Sequence, residues 1–138
     1  MTVIRPAIPA DQPALVRLQS HLPEPSPGLL AGTLDETALT PATVLVSVEG
    51  TEPVGYLLAV PGDDTTYVAE LVVAPDYRRE GRAKALLSAC AEDGSSLTVT
   101  VAPDNEAART LYEACGFEKE RRLPDFFDDG PALLYRRD

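Results

Sequence analysis

A short basic segment near the middle of the chain combines residue types and spacing that suit a polyanionic ligand. Four of the 12 Lys and Arg residues, namely Arg78, Arg79, Arg82 and Lys84, fall within seven positions. Gly81 lies among them, and its lack of a side chain lets the backbone approach a ligand closely. The chain as a whole is acidic, with 22 Asp and Glu residues and a formal net charge of -10. This contrast predicts a binding site for phosphate or pyrophosphate.

The basic segment lies where a strand is predicted to run into a helix. Thr65 to Val73 has the composition of a strand, and Arg82 to Glu92 has apolar residues at helical spacing. The first N–H groups of a helix have no intrahelical partner and lie at the positive end of its dipole, so they bind anions. A solvated loop whose arginines pair with surface carboxylates is the alternative, and the junction favours the phosphate site. The segment has neither the Walker A spacing nor G-x-G-x-x-G.

The elements that must position this segment predict a mixed sheet. Strands are predicted over 2–5, 43–48, 54–60, 65–73, 97–101, 117–121 and 132–136, and helices over 9–21, 29–39, 82–92 and 106–115. The early strands are joined by short turns and should be antiparallel. A helix joins strand 65–73 to strand 97–101, so these two should run parallel. The expected fold is therefore α/β, a mixed and mostly antiparallel sheet flanked by helices, in a single domain over 1–138.

Length and composition narrow the class of protein. A chain of 138 residues with 44% hydrophobic residues can build one core, and no apolar run is long enough to cross a membrane. Cys90 and Cys115 are too few for a disulfide framework and lack metal-ligand spacing, so we expect no metal and a reduced, cytoplasmic location. The acidic surface predicts neither nucleic acid nor an anionic membrane as partner.

The scarcity of lysine offers a second interpretation of the acidity. Only Lys84 and Lys119 are lysines, and the other ten basic residues are arginines. Abundant carboxylate with little lysine is expected of a protein from a salt-rich cytoplasm, where salt screens the repulsion between like charges. An ordinary acidic enzyme is the alternative.

Two segments carry motifs that can be compared with a known family. Residues 78–83 read Arg-Arg-Glu-Gly-Arg-Ala, and residues 105–117 read Asn-Glu-Ala-Ala-Arg-Thr-Leu-Tyr-Glu-Ala-Cys-Gly-Phe. The first is similar to the [Q/R]-x-x-G-x-[G/A] loop of the GCN5-related N-acetyltransferase (GNAT) superfamily, and the second resembles its N-x-x-A-x-x-L-Y-x-x-x-G-F motif. With both motifs in this order, the chain is identified as a member of that superfamily. It resembles the branch that acetylates ribosomal proteins and N-terminal alanines.

The resemblance implies acetyl-CoA as cosubstrate and assigns residues to it. The implied contacts are Leu71, Val72, Val73, Arg78, Arg79, Glu80, Gly81, Arg82, Ala83 and Asn105. The pyrophosphate would lie against the backbone of the basic segment, which Arg78 opens. The pantetheine arm would pair with Leu71 to Val73 like an added strand, and Asn105 would contact the coenzyme from the second motif.

Two catalytic residues are implied as well. Tyr112 of the second motif would act as general acid toward the coenzyme A sulfur, a role that suits a phenol with an ordinary pKa of about 10. Glu70 is a carboxylate within a central strand, and the family often uses an acid there as a base, directly or through water. In the N-terminal acetyltransferase branch a glutamate commonly lies five residues before the motif's asparagine. Thr100 occupies that position here and cannot serve as a base.

The acceptor is the least specified part of the site. Residues 121–130 resemble the closing segment of N-terminal protein acetyltransferases, with Phe126 and Phe127 where that branch tends to carry tyrosines. The proline-rich segment 23–28 is expected to form the opposite wall. His21 is expected to be exposed or capping, and a place in the lining of the acceptor site is the alternative. Three functions stay open: acetylation of a protein or peptide N-terminus, acetylation of a small amine or polyamine, and acyl-CoA binding without catalysis. The expected assembly is a monomer or homodimer.

Overall fold

Runs of β-branched and aliphatic residues form a seven-stranded sheet. The computed structural model describes residues 2–22, 42–127 and 130–138. The strands are β1 (Thr2–Pro6), β2 (Thr43–Glu49), β3 (Glu52–Pro61), β4 (Thr65–Val73), β5 (Ser96–Val101), β6 (Glu118–Phe127) and β7 (Gly130–Arg137). Their order across the sheet is β1-β2-β3-β4-β5-β7-β6. Among the described strands only β4 and β5 pair in parallel, which confirms the predicted mixed, mostly antiparallel sheet.

Three α-helices flank the sheet in the part of the chain that is described. They are α1 (Gln12–Gln19), α2 (Arg82–Cys90) and α3 (Glu106–Ala114). Short 3₁₀ turns at Pro9–Asp11 and Pro75–Tyr77 precede α1 and α2. Asn105 caps α3, because its side-chain oxygen accepts a hydrogen bond from the Ala108 N–H.

Each face of the sheet carries its own apolar core. One core forms between the sheet and helices α2 and α3, and includes Leu57, Leu86 and Phe117. The other forms under α1 and includes Leu15 and Tyr56. Alternate residues of each strand feed the two cores, because successive side chains of a strand point to opposite faces. Fully burying one large apolar side chain stabilises the fold by roughly 1.5–3 kcal/mol, so the sheet is held on both sides.

An ion pair fixes the start of α1 against the sheet edge. Arg5 of β1 donates two hydrogen bonds to Asp11, with nitrogen–oxygen distances of 2.8 and 3.0 Å. The Ile8 N–H also donates to the Asp11 carboxylate, at 2.9 Å. The Arg5 hydrogen bond is the main reason that the pKa of Asp11 lies below its usual value.

The structure corrects several of the predicted boundaries. The first helix begins at Gln12 rather than at residue 9, because Pro9–Asp11 forms the 3₁₀ turn. The closing strands are longer than predicted: β6 continues through Leu123 and Pro124 to Phe127, with register shifts that absorb the proline. The predicted helix over 29–39 and the proline-rich segment 23–28 lie outside the described residues. The single-domain assignment stays a prediction.

Candidate active site

The parallel strands β4 and β5 separate part of the way along their length. They pair only from Thr65 with Ser96 to Val68 with Val99. Beyond these pairs the strands diverge, which leaves the β5-facing edge of Leu71 to Val73 without a strand partner among the described residues. A cleft of about 1410 Å³ reaches from this edge to the basic segment and the start of α3. The two motifs identified in the sequence therefore face one cleft.

The residues that line the cleft come from five parts of the fold. They include His21 and Leu22 after α1, Leu71, Val72 and Val73 of β4, Tyr77, Arg78, Arg79, Gly81, Arg82, Ala83 and Lys84 of the basic segment, Ala102 to Ala108 with Thr110 and Leu111 around α3, and Arg122, Gly130 and Pro131 of the β6–β7 hairpin. Nine of the ten predicted coenzyme contacts are among them. Glu80 is exposed beside the cleft but does not line it.

The backbone of the basic segment presents a row of free donors. Within the described residues, the N–H groups of residues 79–84 donate no hydrogen bond, whereas those of Arg78 and Ala85 are bonded to Pro75 and Gly81 carbonyls. Arg79 and Gly81 adopt left-handed backbone conformations, with φ of 64° and 79°. Such alternation of backbone conformation turns successive N–H groups toward one side and makes an anion-binding concavity. These donors fit the pyrophosphate that the family resemblance implies.

The four basic side chains of the segment have different surroundings, although all four residues line the cleft. Arg79 and Lys84 are exposed and line the cleft. The Nε of Arg78 donates to the Val73 carbonyl at 2.9 Å, so this side chain ties the segment to the end of β4. Arg82 is only 4% exposed and is bonded to protein oxygens. Sequence spacing cannot separate an inward from an outward arginine at the start of a helix.

Replacing Gly81 with Ala tests the row of free donors. A Cβ at Gly81 meets no atom within 4 Å, so the cost comes from the positive φ, at about 1–2 kcal/mol for an L-residue. Relief of that strain turns the N–H groups of residues 79–84, and we expect weaker acetyl-CoA binding by calorimetry.

Gly94→Ala is the matched control for this change. Gly94 has a φ of 83° and equally open space, but it lies outside the cleft. Both variants should lose similar unfolding free energy, and only Gly81→Ala should bind the coenzyme more weakly. Equal affinity of the two variants would contradict a role for this backbone in binding.

A β-bulge in β4 directs Glu70 to the α1 side of the sheet. The register against β3 shifts between Leu58, which pairs with Glu70, and Ala59, which pairs with Val68. Ala69 is the extra residue, and such an insertion reverses the faces of the residues beyond it. Glu70 is 3% exposed and is not among the residues that line the cleft.

Two donors from the described part of the chain hold the Glu70 carboxylate. The Tyr56 hydroxyl donates to its Oε1 at 2.9 Å, and the Gln19 side chain donates to Oε1 and Oε2 at 3.1 and 3.2 Å. Burial, followed by the charge of Glu70, raises the pKa of Tyr56, so this phenol remains a donor. Gln19 and Tyr56 were not predicted as site residues, and no local pattern marks them.

Tyr112 lies in α3 against the edge of the cleft. It is 8% exposed, and its ring meets Phe117 edge-on at 5.3 Å between centroids. Its neighbour Leu111 lines the cleft, whereas Tyr112 itself does not. Among the described residues its hydroxyl has no hydrogen-bond partner. Burial is the main reason that the pKa of Tyr112 is raised, so the phenol is protonated at neutral pH.

A pair of hydrogen-bonded hydroxyl groups lies where β4 and β5 separate. The Tyr67 hydroxyl and Thr100 Oγ1 are 2.7 Å apart. Burial raises the pKa of Tyr67, and Tyr67 in turn contributes to the raised pKa of Tyr112. Thr100 lies where the N-terminal acetyltransferase branch commonly has a glutamate, and its hydroxyl is hydrogen-bonded to Tyr67 of the neighbouring strand. Because successive side chains of a strand alternate, Tyr67 lies on the other face of the sheet from the buried Val68, and the sequence of β4 already indicates this.

Residues that follow α1 and residues of the β6–β7 hairpin also line the cleft. His21 is exposed, as predicted, and lines the cleft together with Arg122 and Pro131. Phe126 is 43% exposed and does not line the cleft. The side chain of Phe127 lies outside the described residues.

Two kinds of feature are absent from the residues that the structure describes. No group of three or more His, Cys, Asp or Glu side chains in this part of the chain is arranged to hold a metal ion. None of its helices is long and apolar enough to span a membrane.

The fold and the two motifs define a class of acyl-CoA-binding acyltransferases, and comparison with known proteins specifies the family. The acetyltransferase (GNAT) family matches residues 14–117, and the chain belongs to this family. A mycothiol acetyltransferase of Clavibacter michiganensis is 38% identical over 99 residues. That match covers 69% of this chain and 30% of the relative, so the chain spans under a third of the length of this relative.

Solved structures share the architecture across nearly the whole chain. NAA60 of Arabidopsis thaliana, solved with a bisubstrate analogue, has a TM-score of 0.84 and 19% identity, and covers 99% of this chain and 97% of its own. The ribosomal-protein-S18-alanine N-acetyltransferase of Escherichia coli has a TM-score of 0.81 and 22% identity, with coverage of 99% and 93%. At these identities the likeness establishes the fold.

Proposed function

We propose that this protein is an N-acetyltransferase with acetyl-CoA as donor and a primary amine as acceptor. The observation that carries the proposal is the row of free N–H groups over 79–84 at one end of the cleft between β4 and β5. Backbone donors at a helix N-terminus suit a pyrophosphate. The open edge of Leu71 to Val73 suits an extended, amide-bearing arm that adds like a strand. Membership of the GNAT family supports the same donor.

The proposed chemistry is a direct transfer. The neutral amine attacks the thioester carbonyl, a C–N bond forms and the C–S bond breaks. Tyr112 gives its proton to the departing thiolate, and its raised pKa keeps that proton available across the neutral range. Glu70 accepts the proton of the amine through a water molecule. The water is needed because the Glu70 carboxylate is buried and already bonded to Tyr56 and Gln19.

The acceptor is proposed to be a peptide N-terminus, with a small amine as the second candidate. The similar proteins include both kinds by name: the ribosomal-protein-S18-alanine N-acetyltransferase on one side, and the mycothiol acetyltransferases on the other. Arg122 bears on which amines the cleft accepts. It lines the cleft from the β6–β7 hairpin, which is the proposed acceptor end, and has no ion-pair partner among the described residues. The described acids that line the cleft, Asp104 and Glu106, lie instead at the start of α3.

The position of Arg122 predicts a preference among acceptors. A cation at this end repels a polyamine and attracts an amine that also carries a carboxylate. We expect coenzyme A release to be faster with peptides and amino acids than with spermidine. A preference for spermidine would contradict this role of Arg122.

Acceptor-dependent release of free coenzyme A, followed with a thiol reagent, tests the function. The panel contains short peptides with different first residues, free amino acids and spermidine, and mass spectrometry of the product identifies the acetylated amine. Calorimetry of acetyl-CoA binding is run in parallel. Tight binding without release from any acceptor would favour the acyl-CoA-binding module over the enzyme, and absence of binding would overturn both.

The same assay, repeated from low to multimolar salt, tests the proposed salt adaptation. A chain with a formal net charge of -10 and two lysines should gain activity and stability as salt screens its carboxylates. Activity that falls steadily with salt would favour an ordinary acidic enzyme.

A further inference from the structure

Arg82 is a buried arginine at the first residue of a helix that should bind an anion. It is 4% exposed, although it opens α2 and adjoins the free N–H groups. All three of its guanidinium nitrogens donate to protein oxygens. Nε donates to Glu80 at 2.9 Å, Nη1 donates to Ser47 at 3.1 Å, and Nη2 donates to Glu49. A charge this well bonded within the protein is not placed to neutralise a phosphate directly.

The partners of Arg82 come from separate segments of the chain. Ser47 is fully buried and lies with Glu49 on β2, 35 and 33 residues before Arg82. Glu80 belongs to the loop just before α2, and the Tyr77 ring of the 3₁₀ turn lies 5.3 Å from the guanidinium carbon. The side chain therefore connects the sheet, the turn and the loop at one point.

A guanidinium suits this task because its donors lie in a rigid plane. Three bonds in one plane fix both the position and the direction of the side chain, which a lysine ammonium on a flexible stem cannot do. The backbone that is fixed in this way, residues 79–84, is the one that carries the free N–H groups. Arg82 is also covered by Tyr77, whose ring face favours a cation.

We propose that Arg82 is a positioning residue, which holds the turn before α2 in the shape that binds the coenzyme pyrophosphate and makes no contact with that ligand through its side chain. The proposal rests on the proposed function, because it assumes acetyl-CoA as donor. Its consequence is specific: only the part of the donor that lies against residues 79–84 should depend on Arg82.

Donor truncation tests this consequence. S-acetylpantetheine has the thioester and the pantetheine arm but lacks the pyrophosphate. For Arg82→Lys we expect KM for acetyl-CoA to rise by about tenfold to a hundredfold, since small displacements of a binding group cost this much. With S-acetylpantetheine, kcat and KM of the variant should equal those of the wild type. Equal losses with both donors would indicate a general structural defect and overturn the proposal, as would an unchanged KM for acetyl-CoA.

Glu49→Gln keeps the proposal testable if Arg82→Lys does not fold. Glu49 is 41% exposed, so its replacement by Gln removes the negative charge that pairs with Arg82 without emptying a buried site. Glu49→Gln should raise KM for acetyl-CoA but not for S-acetylpantetheine, by a smaller factor than Arg82→Lys. In a separate variant, Arg82→Ala, addition of guanidinium ion should restore acetyl-CoA affinity. No donor dependence in any of these variants overturns the positioning role. A wild-type protein that binds no acetyl-CoA would instead overturn the proposed function.

Discussion

Replacing Tyr112 with Phe is expected to lower kcat by about 10²–10⁴-fold, the usual contribution of a general acid. Acetyl-CoA affinity should change little, because Tyr112 gives its proton only as the C–S bond breaks, and an interaction made in the transition state contributes to kcat rather than to binding. The fold should also tolerate the change. The ring keeps its contact with Phe117, and the hydroxyl has no partner among the described residues, so no buried group is left unpaired.

Single-turnover rates at saturating acetyl-CoA measure this loss, with calorimetry for binding and thermal unfolding for stability. Tyr135→Phe is a matched control, because it removes a hydroxyl that bonds Arg109 and Glu113 away from the cleft. It should cost stability and leave turnover intact. Wild-type turnover in Tyr112→Phe would exclude Tyr112 as the acid.

The pH dependence of the wild-type enzyme follows from the same residue. Burial raises the pKa of Tyr112, so the protonated, proton-donating form is present at low pH and is lost only as pH rises through that raised value. Deprotonation of Tyr112 should therefore not lower kcat near pH 10, where an ordinary phenol titrates. The raised pKa would be contradicted if kcat of the wild type fell at or below pH 10 and the same fall were absent from Tyr112→Phe.

Replacing Glu70 with Gln is expected to lower kcat/KM by about 10²–10⁴-fold, if the carboxylate takes up the proton of the amine. Glutamine has nearly the same shape, but its NH₂ group cannot accept a bond from the Tyr56 hydroxyl or from Gln19. The buried network loses acceptors, so we also expect a loss of about 1–3 kcal/mol in unfolding free energy.

Tyr56→Phe separates the two effects of that replacement. It removes one donor to Glu70 and keeps the carboxylate, and should cost about 1.5–3 kcal/mol of unfolding free energy, as for a hydrogen bond to a charged group. Turnover below the unfolding temperature should remain far closer to that of the wild type than in Glu70→Gln. If a folded Glu70→Gln protein retains wild-type kcat/KM, Glu70 is a structural residue and another group is the base.

Local sequence was sufficient to predict most elements of the described part of the fold and the two motif segments that line the cleft. The strand over 65–73 was predicted at its observed bounds, and the start of α2 at Arg82 was also correct. Both follow from patterns over a few residues, such as β-branched runs and a glycine before an apolar helix. The element order then supported the parallel pairing of β4 and β5, because a helical crossover joins them.

The sequence by itself determined which segments carry the two motifs and in what order the chain presents them, since motif spacing and hydrophobic period are local properties. Only the tertiary structure decided where the side chains point. Arg82 turned inward to Ser47 and Glu49, and Glu70 met Gln19 from 51 residues away. A single bulged residue in β4 sets the face of Glu70, and such an insertion depends on pairing with β3 rather than on the strand's own pattern. Partners that are distant in sequence meet only when the sheet closes, and no local pattern encodes them.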